Sequence, residues 1–253
     1  MKKRRVRILV AALVLTMSFA AAQAAAAETL NIFVGAGLRQ PVDRLVKGFE
    51  GKEGHRVFID YGGSGQLLAK IEATARCDLY IPGAAFYIDR LAKAGRVHSA
   101  RAIVQHTPVI GVNRKQADRI RGFADLAKPG LRLAMGDPKA MAFGRTAQAI
   151  CAAAGLEDAI YANVSVYGAT VKQLTLYLTQ GTVDAAIIGR ADAFQNRDRI
   201  SIVDIPEAYF QAEIITAAVL KGAPEAAQDL MNHLGAPEAV AVFQACGFLP
   251  MPE

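Results

Sequence analysis

The residues of this sequence best suited to chemistry are glycines and small polar groups at strand ends, not nucleophiles or metal ligands. Gly62-Gly63-Ser64-Gly65 separates a β-like run from a helix-like one, so Ser64 stands at a helix start. A hydroxyl there either caps the helix or, with the amides that follow, donates to a bound anion. As a nucleophile Ser64 would need a base, and no feature of the sequence supplies one. His55, His98, His106 and His233 lack metal-ligand spacing and read as ordinary core or surface residues. No G-x-S-x-G, H-E-x-x-H or Walker A pattern is present. Gly35-Ala36-Gly37 resembles the start of a dinucleotide fingerprint, with Asp60 near the ribose-binding position. Gln40 replaces its third glycine, which close helix–strand packing requires. The sequence therefore reads as a binder and not an enzyme, with no cofactor and no resident metal.

These residues are positioned by alternating strand and helix signals. Residues 29–34 read as a strand ending at Gly35-Ala36-Gly37. Leu38, Val42, Leu45, Val46 and Phe49 then recur at helical spacing up to Gly54. Strands are predicted at 56–61, 78–81, 108–112, 131–135, 164–167, 184–188, 200–204 and 213–220. Helices are predicted between most of them, and two more after Pro224. Regular β-α-β alternation argues an α/β fold with mostly parallel sheets. Four strand-to-helix junctions carry glycine or small polar residues, at 35–37, 62–65, 136–144 and 189–191. Ligands of open α/β sheets bind beyond the carboxyl ends of strands, beside helix N-termini. The open N–H groups there, with their partial positive charge, suit an anion.

The N-terminus sets the compartment. Lys2, Lys3, Arg4, Arg5 and Arg7 precede an apolar run, residues 8–22, and the small-residue tract 24–27 follows. That order is a secretory signal peptide, with cleavage expected near Ala27 and the mature chain in the periplasm. The apolar run is shorter than the roughly 20 residues of a spanning helix. The full chain has 29 Lys+Arg against 23 Asp+Glu; without the five basic residues of the leader, 24 face 23. The basic balance thus belongs to the leader and gives no reason to expect a nucleic-acid partner. Cys77, Cys151 and Cys246 permit one disulfide, in a pairing the sequence leaves open.

The order and spacing of several segments resemble the molybdate-binding (ModA) family of periplasmic binding proteins. They are Ile32-Phe33-Val34-Gly35-Ala36-Gly37-Leu38, residues 64–71, Cys77-Asp78-Leu79-Tyr80-Ile81, Leu133-Ala134-Met135-Gly136-Asp137-Pro138, Thr170-Val171 and Cys246-Gly247-Phe248. The resemblance spans residues 30–248. It implies an α/β, two-lobed periplasmic-binding-protein fold (type II) with the ligand cleft between lobes. Residues 28–106 plus 222–253 are expected in one lobe and 107–221 in the other, with 108–112 and 213–220 as crossover strands. It further implies a monomer that captures a small oxyanion, molybdate or tungstate, and delivers it to the membrane permease of an ABC importer.

By matching position, Ser64 supplies a hydroxyl, Phe143 and Val171 supply amides, and Gly37 and Gly189 stand where a serine and a tyrosine are usual. Arg39 and Arg190 follow those two glycines closely and are candidates to replace the lost donors. A site built only of N–H and O–H donors should prefer a fully deprotonated dianion, because a proton on the anion would find no acceptor. Other readings are a binding protein for another small anion or a metal, supported by Gly37 and Gly189, and an exported enzyme.

Overall fold

A computed structural model describes residues 27–73 and 76–252; the expected leader falls outside them except for Ala27. Strand β1 (Thr29–Gly35) runs into a 3-10 turn (Ala36–Leu38) and helix α1 (Arg39–Glu53), then β2 (Arg56–Gly62) and α2 (Ser64–Ala73). Next come β3 (Leu79–Ile81), α3 (Phe86–Lys93), β4 (Val97–His106), β5 (Pro108–Asn113) and β6 (Leu133–Gly136). Helices α4 (Ala142–Ala153) and α5 (Glu157–Tyr161) lead to β7 (Val164–Gly168), α6 (Val171–Gln180), β8 (Ala185–Gly189) and α7 (Arg190–Gln195). The chain ends through β9 (Ile200–Asp204), β10 (Glu213–Leu220), α8 (Glu225–Leu234) and α9 (Pro237–Ala245).

Two five-stranded sheets result, in the orders β2-β1-β3-β10-β4 and β7-β6-β8-β5-β9. In each, three parallel strands meet one antiparallel strand that carries a further antiparallel edge. Helices cover both faces, so inner strands are apolar throughout; β8, Ala-Ala-Ile-Ile-Gly, is buried at every position. Helix α1 buries Val42, Leu45, Val46 and Phe49 along one face and stops at Gly54, whose φ of 72° is left-handed. Each of those side chains contributes about 1.5–3 kcal/mol of burial.

The chain passes from the first sheet to the second at Thr107, between β4 and β5, and returns through residues 205–212. One expectation is corrected here. Residues 213–221 do not belong with the second lobe, since β10 pairs with β3 and β4 of the first sheet. The return crossing therefore precedes Glu213. Strand β4 was not predicted, because its first half is polar and half-exposed; its ladder with β10, not an apolar alternation, holds it in place. Cys77, Cys151 and Cys246 are all free and buried, and burial pushes the Cys77 and Cys151 thiols up to about 12. They pack as small apolar groups.

Candidate functional site

The carboxyl ends of β1, β2, β6 and β7 aim their following helices at one point between the sheets. A small cavity of about 40 Å³ lies there, lined from the first lobe by residues that include Gly37, Ser64 and Gly83, and from the second by Phe143, Val171 and Asp192. At roughly 10–15 Å³ per water, that is room for one small ion.

Four helical starts face it. No side chain caps the turn at Ala36 or the start of α4, so helix geometry leaves their first N–H groups, Phe143's among them, open. Thr170 caps α6 by accepting from the Gln173 amide, which leaves the amides of Val171 and Lys172 outside that bond. At α2 the Ser64 Oγ accepts from the Gly83 N–H at 3.0 Å, not from its own helix, so its hydroxyl proton is available to a ligand. The amides after Ser64 are engaged otherwise. Those of Gly65 and Gln66 donate across the cleft to the Ala140 carbonyl, at 2.9 and 3.4 Å, and clasp the lobes.

Two ionisable side chains complete the wall. His106 ends β4 beside the crossing and is fully buried against Phe143 and Phe248. Burial, aided by Lys172, pushes its pKa down to about 3, so the ring is neutral. Its Nε2 accepts from the Ala191 N–H at 3.2 Å, which puts the ring proton on Nδ1. Asp192, in the first turn of α7, is 0 % exposed. Its Oδ1 accepts from Lys172 Nζ at 2.9 Å, while Oδ2 has no hydrogen-bond partner among the described residues. Burial pushes this carboxyl up, against the pull of Lys172.

A wider groove of about 580 Å³ lies on the other side of Ala142, between Phe86, Arg145 and Glu213. There Thr146 donates to Glu213, and the buried Tyr87 hydroxyl has no hydrogen-bond partner among the described residues. Among the described residues, no three His, Cys, Asp or Glu side chains are placed to hold a metal ion.

A family model of bacterial extracellular solute-binding proteins matches residues 30–249. The chain belongs to that family. A Haemophilus influenzae protein named only as a binding protein is 35% identical over 225 residues, covering 88% of this chain and 92% of that one. The molybdate-binding protein ModA of Mycobacterium tuberculosis is 26% identical over 200 residues, 77% of this chain and 74% of its own. Among solved structures, the periplasmic molybdate-binding protein of Azotobacter vinelandii superposes with a TM-score of 0.79 at 22% identity, over 88% of this chain and all of that one. The fold of this solute-binding protein is thus the two-lobed α/β fold of its family.

Of the residues singled out in the sequence, Gly37, Ser64, Phe143 and Val171 come together around the cavity. Gly189, Arg39 and Arg190 do not line it. The Arg39 guanidinium lies 3.9 Å from the Tyr61 ring centre. Arg190 pairs with Asp204 and donates from Nε to Thr107 Oγ1, behind the crossing. Instead, the two unusual glycines make room for the two side chains that the sequence reading passed over. A Cβ at Gly189 would overlap the His106 ring. One at Gly37 would lie 3.2 Å from Asp192 Oδ2 and 3.1 Å from Val171 Cγ1. For Asp192 the available signal was position, three residues after Gly189; His106 carried no such signal, since it lies 83 residues before that glycine.

Ser64→Ala is expected to weaken ligand binding by about 1.5–3 kcal/mol, the range for a hydrogen bond to a charged group. Arg39→Gln and Arg190→Gln are expected to change it by less than about 1 kcal/mol. Calorimetry on the three variants checks both statements.

Proposed function

We propose that this solute-binding protein captures one small tetrahedral oxyanion between its lobes and delivers it to the permease of an ABC importer. The observation that carries the reading is the convergence of four helical starts and the Ser64 hydroxyl on a cavity of about 40 Å³. Open N–H groups and helix dipoles stabilise negative charge, and the small volume suits an ion more than an organic solute. Membership of the extracellular solute-binding family supports a periplasmic protein that binds and does not catalyse. The relatives named for molybdate make molybdate and tungstate the first anions to try. A wall with a buried carboxylate is not the donor-only wall on which a fully deprotonated dianion was expected, so phosphate and arsenate belong beside them.

Thermal unfolding of the mature protein against molybdate, tungstate, sulfate, phosphate and arsenate tests the proposal. An anion at ~1,000 times its dissociation constant should stabilise by about 4 kcal/mol. Stabilisation by none of them would end the oxyanion reading.

A further inference from the structure

We infer that the anion taken by this cavity brings a proton with it: the ligand class is a protonated tetrahedral oxyanion of the hydrogen phosphate or hydrogen arsenate kind, and Asp192 Oδ2 is the atom that receives its hydroxyl. The inference rests on the oxyanion reading and deepens it.

Asp192 is 0 % exposed and lines the cavity. One of its oxygens is spoken for by Lys172, and the other has no hydrogen-bond partner among the described residues. A buried carboxylate oxygen left unpaired costs several kcal/mol, so a site that keeps one aimed at its ligand is built for a donor. The space in front of it is kept by Gly37, where any side chain would crowd Oδ2.

The surrounding charges agree. Lys172 on α6 is the cation facing Asp192, and His106 on β4 lines the same cavity as a neutral ring with Nε2 already engaged. Lys172 and Asp192 compensate each other, leaving the helix starts to balance the anion. A bare dianion would set an acceptor-only oxygen against an acceptor-only carboxylate oxygen. A ligand hydroxyl converts that repulsion into a short charge-assisted O–H···O⁻ bond. The bound state then holds one proton between ligand and Asp192. Phosphate and arsenate carry it in at neutral and mildly alkaline pH. Sulfate, molybdate and tungstate do not, and would bind only if Asp192 itself took a proton from solvent.

The test is calorimetry on the mature protein at pH 7.5 and pH 9, in buffers of different ionisation enthalpy so that proton uptake is counted. Phosphate and arsenate are expected to bind at least 100-fold tighter than sulfate, molybdate and tungstate at pH 7.5, with little proton uptake and little change to pH 9. Any binding of the other three should take up about one proton and weaken roughly tenfold per pH unit. Asp192→Asn, which keeps the shape and adds a donor, should collapse the preference by weakening phosphate and strengthening sulfate or molybdate. Should that variant not fold, the proton count and pH series on the parent decide alone. Sulfate, molybdate or tungstate binding as tightly as phosphate at pH 9 without proton uptake would overturn the inference while leaving the oxyanion reading intact. Binding of none of the five would overturn both.

Discussion

Gly63→Ala is expected to hold the lobes apart and to raise the dissociation constant for the bound anion by 10- to 100-fold. In the clasped molecule a Cβ at position 63 would overlap the carbonyl oxygens of Ala140 and Ala169, both from the second lobe. Both neighbours are backbone and cannot rotate away. The Gly65 amide, two residues on, donates to the same Ala140 carbonyl, so the glycine loop is the surface on which the lobes meet. Overpacking of this kind costs typically 1–3 kcal/mol, and parting the lobes would relieve it. The loss should therefore appear in affinity and not in folding. Small-angle scattering at saturating ligand should give a larger radius of gyration for the variant than for the parent, with an unfolding midpoint without ligand close to the parent's. A variant that compacts with ligand as the parent does would show that the loops have room to part.

The second large effect is on stability against pH. His106 ordinarily titrates at 6.5, and burial pushes it down to about 3 in the folded protein. Below 6.5 the unfolded chain takes up a proton that the folded chain refuses, so stability falls as pH drops, and falls throughout the interval down to about 3. Between pH 7 and pH 5 this one residue should cost about 2 kcal/mol, at about 1.4 kcal/mol per pH unit once below 6.5. Asp192 acts in the opposite sense, because a carboxyl pushed up by burial loses stability as pH rises. Comparison with His106→Gln separates the two. Urea unfolding at pH 7 and pH 5 should show a loss in the parent that exceeds the loss in the variant by about that 2 kcal/mol, whatever the variant's absolute stability. Equal losses would mean that the buried ring is not held neutral.

Most of the fold was legible because its signals are local. Val42, Leu45, Val46 and Phe49 at helical spacing, closed by Gly54, define α1 without reference to any other segment. Three of the four junctions that form the cavity, at 35–37, 62–65 and 136–144, were legible for the same reason: glycine at a strand end followed by helical periodicity. The fourth, at Thr170-Val171, was marked only by the family resemblance, and the marked junction 189–191 does not line the cavity. Strand β4 was not, since half of it is polar and its partner, β10, lies about a hundred residues later in the chain. The placement of β10 was open for a related reason. An apolar strand between two blocks of alternation fits either sheet, and only its ladders with β3 and β4 assign it to the first.

In the candidate site the division is sharper. The sequence alone marked helix starts rich in small residues, with their amides and one serine hydroxyl, because backbone chemistry follows from residue type and local conformation. It marked Gly37 and Gly189 as unusual but assigned the compensation to Arg39 and Arg190, the nearest charges along the chain. Only the tertiary structure decided otherwise. Arg39 turns to the Tyr61 ring and Arg190 to Asp204, while His106, 83 residues before Gly189, fills the space beside it. Asp192 crosses the cleft to face Gly37. Which side chain occupies the volume a glycine leaves is a question of packing between distant segments, and no spacing along one segment encodes it.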